Sequence, residues 1–249
     1  MLTPQEYLKK EGIKLEDFKK TALSKINKKN RELLDKLREH ENKREGILNF
    51  YNILYSLVGD SWYYPERDLR EKYLTTCKEL LPPRGIVVDF GCGLGLDCTY
   101  FTLTREDLFV IGVDMSPVAA RKAKSRAKRY GLKNIDTLVA DFDHLPFQDE
   151  SIDTGFSADS LFEYLFEVSE EYVLKRMGNV AKVLKKEGKL IIGKAGNPSE
   201  IIEYFGNSIG NYAKKIGMKE KFSTEFSYRS IEDGKPTKEY FTLVGLEKE

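Results

Sequence analysis

The sequence is poor in the residues that build covalent or metal-bound frameworks. Its three cysteines are Cys77, Cys92 and Cys98, with no Cys-x-x-Cys pair, and its two histidines, His40 and His144, lie far apart. This argues against a disulfide scaffold or a structural zinc site, and no metal is expected. Long apolar runs are missing too: no stretch approaches the roughly 18 residues that cross a bilayer. Nor does Met1-Leu2-Thr3-Pro4-Gln5-Glu6-Tyr7 carry the apolar core of a signal peptide. A cytoplasmic protein without membrane association is the expectation. An excess of one charge is also absent. Lys and Arg number 41 against 40 Asp and Glu, a formal net charge of +1, so nothing global points to nucleic acid. Glutamine is confined to Gln5 and Gln148 while Lys and Glu abound, which leans towards a thermophilic source.

What is present fits one sizeable α/β core with an accessory element: 249 residues, 41% hydrophobic and 33% charged. Residues 1–64 read as a helical extension. Thr3 and Pro4 suit the N-cap and first position of a short helix that Gly12 ends. From Leu15, apolar residues recur at Phe18, Ala22, Ile26, Leu33 and Leu37, mostly at helical steps, with a polar gap around Lys28-Lys29-Asn30. Residues 1–46 hold thirteen basic and nine acidic side chains. Such an excess is ordinarily a solvated helix face, and an arm that docks RNA or a partner is the lesser reading. An aromatic stretch follows, with Phe50, Tyr51 and Tyr55, then Trp62-Tyr63-Tyr64-Pro65. From there Leu69, Tyr73, Cys77, Leu80 and Leu81 share a helical face that Pro82-Pro83 terminates.

Residues 65–249 read as the main domain, in which strands and helices alternate. Short apolar runs at Ile86–Val88, Phe109–Val113, Ile135–Val139, Ile152–Phe156 and Leu190–Ile192 read as strands. The clearest helices between them span Ser116–Tyr130 and Glu170–Leu184. This alternation predicts βαβ units, right-handed crossovers and a parallel sheet. Two further alternating segments, Phe222–Arg229 and Glu239–Leu246, flank Glu232-Asp233-Gly234-Lys235-Pro236 and predict an antiparallel hairpin.

The first strand runs into Asp89-Phe90-Gly91-Cys92-Gly93-Leu94-Gly95 and then a helix. Glycines there allow a sharp turn and bring backbone N–H groups towards a ligand at the positive helix end. Leu96 occupies the place of the third glycine of a dinucleotide fingerprint, and no Gly-Lys-Ser/Thr follows. The carboxylate of Asp89 would repel a pyrophosphate and suits a cationic amino group. Asp114 ends the second strand, 25 positions after Asp89, where a carboxylate accepts from both ribose hydroxyls. Met115 then offers a soft apolar face for adenine. Asp141 follows the third strand and can accept from the exocyclic amine, with Phe142 and Leu145 walling the ring.

On these residues the chain resembles the class I S-adenosylmethionine-dependent methyltransferases, from about Ile86 to Leu246. Val88-Asp89-Phe90-Gly91-Cys92-Gly93-Leu94-Gly95 matches the first motif of that superfamily, and Val110-Ile111-Gly112-Val113-Asp114-Met115-Ser116 the second. The run from Ala140-Asp141 through Leu145-Pro146-Phe147 to Ser151-Ile152-Asp153 is similar to the third and fourth. The resemblance implies a doubly wound seven-stranded sheet of order 3-2-1-4-5-7-6 with the last strand antiparallel. It implies S-adenosylmethionine as cofactor and S-adenosylhomocysteine as product. Asp89 would serve the methionine amino group, and Gly91, Cys92, Gly93 and Gly95 the methionyl backbone. Asp114 and Met115 would serve the ribose and adenine, Asp141 and Phe142 the adenine, and Ser157 would complete the set. Cys92 reads as a small residue packed inside the loop rather than a nucleophile, and His144 as a loop residue rather than a base.

The methyl acceptor is less legible. No Asn/Asp-Pro-Pro-Tyr/Phe and no Pro-Cys follows the fourth strand, which disfavours adenine or glutamine amides and cytosine C5. The Ala140–Asp153 stretch looks like the branch dominated by small-molecule methyltransferases. A small substrate under an aromatic lid of Trp62, Tyr63 and Tyr64 is therefore expected, with Asp159 as a polar contact or base and Lys194 beside it. The chief alternative is an RNA or protein methyltransferase docked by Lys19, Lys20, Lys28 and Lys29. A non-catalytic cofactor-binding subunit is a third reading, and aminopropyl transfer is disfavoured by Asp89.

Overall fold

Val87 and Val88 are adjacent, both fully buried, and belong to different hydrophobic cores. A strand whose side chains alternate can do this only when both faces of its sheet are covered. The computed structural model, which describes residues 2–16, 20, 26, 28–38, 44–63, 67–161, 170–196, 207–232 and 234–249, has that layered form. Its strands are β1 (Gly85–Phe90), β2 (Leu108–Asp114), β3 (Ile135–Val139), β4 (Ile152–Ala158), β5 (Leu184–Gly196), β6 (Met218–Glu232) and β7 (Lys235–Lys248). They form one seven-stranded sheet of order β3-β2-β1-β4-β5-β7-β6. β1 to β5 are parallel, and β7 is antiparallel to both β5 and β6. This is the order expected from the resemblance.

The helices in chain order are α1 (Pro4–Lys10), α2 (Lys28–Arg38), α3 (Arg44–Val58), α4 (Arg67–Leu80), α5 (Leu96–Thr104), α6 (Pro117–Arg129), α7 (Glu170–Val183) and α8 (Asn207–Lys215). One core lies between the sheet and α1, α4, α5 and α6, with Tyr7, Leu69, Tyr73, Phe101, Phe156 and Phe241 inside it. The other lies under α7 and α8 and holds Phe90, Met177, Val180, Ile192 and Leu246. Among the described residues no helix is long and apolar enough to cross a membrane.

Local chemistry sets the helix ends. Thr3 caps α1 through a reciprocal pair: its hydroxyl accepts from the Glu6 amide at 3.2 Å and the Glu6 carboxylate accepts from the Thr3 amide at 2.8 Å. Ser116 caps α6, accepting from the Ala119 amide at 3.2 Å, with Pro117 at the first helical position.

Three sequence expectations are revised. The polar trio Lys28-Lys29-Asn30 is not a gap within a helix but the first turn of α2, where solvated polar side chains cost nothing. β5 extends well beyond Leu190–Ile192. Its first part is hidden by an irregularity in pairing between Ile152/Leu184 and Thr154/Lys189, with Glu187 at φ 62°. Its last part, Gly193-Lys194-Ala195-Gly196, has weak strand formers but is hydrogen-bonded into β7. The hairpin is likewise longer than expected at both ends, because β6 and β7 pair from Met218↔Lys248 to Glu232↔Lys235.

Candidate functional site

In the strand order, the crossovers leave β1 on one side towards β2 and on the other towards β4. At such a switch point the loops diverge from the carboxyl ends of the strands and leave a crevice. A cavity of about 320 Å³ lies there. Asp89, Gly91, Cys92, Gly93, Asp114, Met115, Asp141, Phe142, Asp159 and Lys194 all line it, as do Trp62 and Tyr63. Three predicted residues do not. Tyr64 lies outside the described residues. Gly95 faces α6, where a Cβ would come within 2.7 Å of the Ala123 Cα; it permits the helix to pack. Ser157 is 1% exposed and turned inward, its hydroxyl 2.7 Å from that of Ser160 and accepting from the Leu161 amide. Ser160 lines the cavity in its place.

The glycine loop does not present its amides to a ligand, contrary to expectation. The Gly91 and Cys92 amides donate to the Val113 carbonyl at 2.7 and 2.9 Å, and Gly95 donates to the Cys92 carbonyl at 2.9 Å. Gly93 donates to Asp114 Oδ2 at 2.9 Å, and Leu94 to the Tyr63 hydroxyl at 3.2 Å. With these amides satisfied by protein, the loop is no phosphate cradle. It is a wall that bare glycine keeps low. Cys92 packs inside it, and contact with Cys98 together with burial raises its thiol pKa, as befits a packing residue rather than a nucleophile.

The acids at the strand ends have different surroundings. Asp114 is 7% exposed and accepts from the Ser116 amide at 2.8 Å as well as from Gly93, yet burial pushes its pKa up to about 6. Asp89 is 3% exposed; burial first and then repulsion from Asp97 raise its pKa, while Arg70 opposes the shift. Its Oδ2 has no hydrogen-bond partner among the described residues. Asp141 accepts from the Asp143 and His144 amides, both at 2.9 Å, which fixes the turn after β3. Phe142 and Leu145 stand beside it in the cavity wall, with Arg176 placed 5.4 Å from the Phe142 ring centre.

Asp159 has φ 58°, a conformation uncommon for a residue with a side chain. Its amide donates to the Gly193 carbonyl at 2.9 Å, and its carboxylate accepts from the Ala195 amide at 2.8 Å with Lys194 Nζ at 3.6 Å. The strained turn thus joins β4 to β5 at the cavity edge.

The roof comes from the accessory helices. Tyr51 and Tyr55 of α3 have ring centres 5.5 Å apart, and Trp62 stands edge-on to Tyr55 at 6.4 Å. α3 is tied to α6 by Lys122 Nζ on the Tyr55 carbonyl and by the Ser116 hydroxyl on Asn52 Oδ1, both at 2.6 Å. Below it, the 3₁₀ turn Gly59–Tyr63 is held through Asp60 by Arg126. Sequence reading missed Tyr51 and Tyr55 as site residues, along with Arg70, Asp97 and Arg176. One signal was available: Asp97 is the lone charge in Leu96–Thr104, a helix otherwise neutral.

A methyltransferase-domain family model matches residues 83–241. The chain belongs to that family. With its sheet order, it is a member of the class I S-adenosylmethionine-dependent methyltransferase superfamily, whose cofactor is S-adenosylmethionine. The methyltransferase domain is 35% identical over 80 residues to an arsenite methyltransferase of Halobacterium salinarum, covering 31% of this chain and 20% of that one. It is 23% identical over 156 residues to phthiotriol/phenolphthiotriol dimycocerosates methyltransferase 1 of Mycobacterium ulcerans, covering 63% and 54%. The chain thus spans between a fifth and about half the length of these curated relatives. In fold it is similar to a SAM-dependent methyltransferase of Aquifex aeolicus, with a TM-score of 0.53 and 21% identity over 70% of this chain and 88% of that one.

Proposed function

We propose that this methyltransferase domain transfers a methyl group from S-adenosylmethionine to a small-molecule acceptor bound beneath the aromatic roof. The observation that carries the reading is that roof: Tyr51, Tyr55 and Trp62, docked through α3 onto α6, cover a cavity of about 320 Å³. Confinement of that kind suits a small acceptor better than a folded macromolecule. Residues 1–64 act in this reading as the lid and residues 65–249 as the catalytic domain. The names of the two curated relatives, one for arsenite and one for phthiotriol/phenolphthiotriol dimycocerosates, support a small acceptor.

The lining residues fit the cofactor. The buried, unpartnered Oδ2 of Asp89 suits its ammonium group, and Gly91 and Gly93 leave room for the methionyl chain. Asp114 would accept from the ribose, while Met115, Phe142 and Leu145 would enclose the adenine beside Asp141. Bound S-adenosylmethionine supplies an electrophilic methyl group on a sulfonium. What the chain supplies is alignment and exclusion of water. Asp159, held by the Ala195 amide and Lys194, is placed to take a proton from an acceptor or to orient it. Three free thiols suit a reducing compartment such as the cytoplasm.

The test is to supply isotopically labelled methyl cofactor with separated small-molecule, RNA and protein fractions. Label entering the small-molecule fraction alone is expected. Label in RNA that disappears when Lys20, Lys28 and Lys29 are neutralised would establish the alternative acceptor class instead.

A further inference from the structure

Helix α5 packs against the sheet with eight of its nine residues buried, and nothing in that packing calls for a charge. Asp97 is nevertheless there, 8% exposed, in the first turn after the glycine loop. Arg70, itself 7% exposed, reaches it from α4, with Nη1 at 3.0 Å from Asp97 Oδ2 and its guanidinium carbon 5.3 Å from the Tyr63 ring centre. Asp89 lies within electrostatic reach of both. All three line the cavity.

Asp89 and Asp97 share the Arg70 guanidinium, while Arg126, within electrostatic reach of Asp97, is bound to Glu11 and Asp60. Each carboxylate keeps one oxygen without a partner among the described residues: Oδ1 of Asp97 and Oδ2 of Asp89. Both oxygens are sealed from water, so neither is compensated by solvation. A buried anionic oxygen left so is costly, and burial with mutual repulsion favours the protonated form of these acids in the free protein. A bound cation carrying at least two N–H donors can take the place of that proton and satisfy both oxygens. A primary ammonium has three.

We propose that Asp97 is a second carboxylate ligand, alongside Asp89, for the ammonium of the cofactor's methionyl end, and that Arg70 is the residue that positions it. This rests on the reading of the cavity as an S-adenosylmethionine site. Arg70 neutralises one acid and holds Asp97 through its Oδ2, which leaves Oδ1 as the unpartnered oxygen of a residue in the cavity wall. The arriving ammonium neutralises the second acid and satisfies both free oxygens. Because Arg70 of α4 lies over Tyr63, whose hydroxyl accepts from the Leu94 amide, cofactor recognition reaches from the glycine loop through α4 to the last turn of the accessory segment.

Calorimetric titration with three nucleosides tests it: S-adenosylhomocysteine, its decarboxylated amine, and methylthioadenosine, which has neither ammonium nor carboxylate. In Asp97→Asn the first two are expected to weaken by about tenfold or more, the loss of a charge-assisted hydrogen bond, while methylthioadenosine stays within about twofold. Asp97→Leu with Arg70 kept leaves one guanidinium to face Asp89 and should show the same pattern, with a thermal melt like that of wild type guarding against a misfolded variant. Equal loss for all three ligands would overturn the proposal, since the effect would then be structural. Loss confined to S-adenosylhomocysteine would also overturn it, because the cluster would be reading the carboxylate. Wild-type protein that binds none of the three would instead overturn the cofactor reading itself.

Discussion

Gly91 and Ser160 are packed so closely that a Cβ on residue 91 would lie 2.1 Å from the Ser160 Cβ. The contact joins the glycine loop after β1 to the turn after β4, and the Ser160 hydroxyl donates to the Phe90 carbonyl at 2.5 Å beneath it. Gly91 also has φ 79°, which favours glycine on its own account. Gly91→Ala is therefore expected to destabilise the fold by about 2–5 kcal/mol, combining left-handed strain with overpacking. Chemical denaturation measures this. In the double variant with Ser160→Gly the steric part should be recovered and the backbone part should persist; simple additivity of the two substitutions would show that the contact is not the cause.

Asp114 should give nucleoside binding a pH dependence. With its pKa pushed up to about 6 by burial, the carboxylate is largely protonated below that value in the free protein. If ribose hydroxyls donate to the ionised form, methylthioadenosine affinity is level above pH 6 and falls by up to tenfold per unit below it. Asp114→Asn should flatten the profile at low affinity. The effect on stability has the opposite sense. A carboxylate raised from its usual value binds more protons folded than unfolded, so stability of the free protein declines as pH rises from about 4 to about 6.

Arg126 is 3% exposed and holds two parts of the accessory segment at once: Glu11 at 3.0 Å and Asp60. The Glu11 carboxylate is equally buried and is shared with Arg129 at 2.9 Å and with the Tyr130 hydroxyl at 2.7 Å. Arg126→Met is expected to cost about 1–3 kcal/mol, because the buried Glu11 loses one of its two guanidinium partners while keeping Arg129 and Tyr130. Limited proteolysis should then cut the first 64 residues before the sheet unfolds. Cleavage no faster than in wild type would mean that the accessory helices are held by apolar packing alone.

Tyr63→Phe removes the acceptor for the Leu94 amide, one of the loop's satisfied N–H groups. A loss of about 1–3 kcal/mol in stability is expected, the usual cost of a stranded buried donor. Faster amide hydrogen exchange at Leu94 should accompany it, with exchange in β7 unchanged.

Much of this architecture was legible in the residues. Val87 and Val88, Ile191 and Ile192 read as strands buried on both faces, and their alternation with helices called for a parallel sheet. The positions of Asp89 and Asp114 followed from strand ends, because a charged residue that stops a buried apolar run marks where the chain leaves the core. The glycine loop misled in one respect: its amides were expected to face a ligand, and they bond the Val113 carbonyl, Asp114 and Tyr63 instead. Pairing partners brought from distant segments are not visible in a local pattern.

The sequence by itself determined that strands alternate with helices ahead of an antiparallel hairpin and that acids close the strands, since hydrophobic period and strand-end chemistry are local properties; the doubly wound order followed from the family resemblance. Only the tertiary structure decided what surrounds those acids. Arg70 and Asp97 lie 27 residues apart, and Tyr63 and Leu94 lie 31 apart. Arg70 meets Asp97 because α4 packs onto α5, and Tyr63 meets Leu94 because the 3₁₀ turn of the accessory segment docks beside the glycine loop. Contacts of that kind depend on the direction in which whole elements dock, and burial then turns ordinary carboxylates into groups that need a partner.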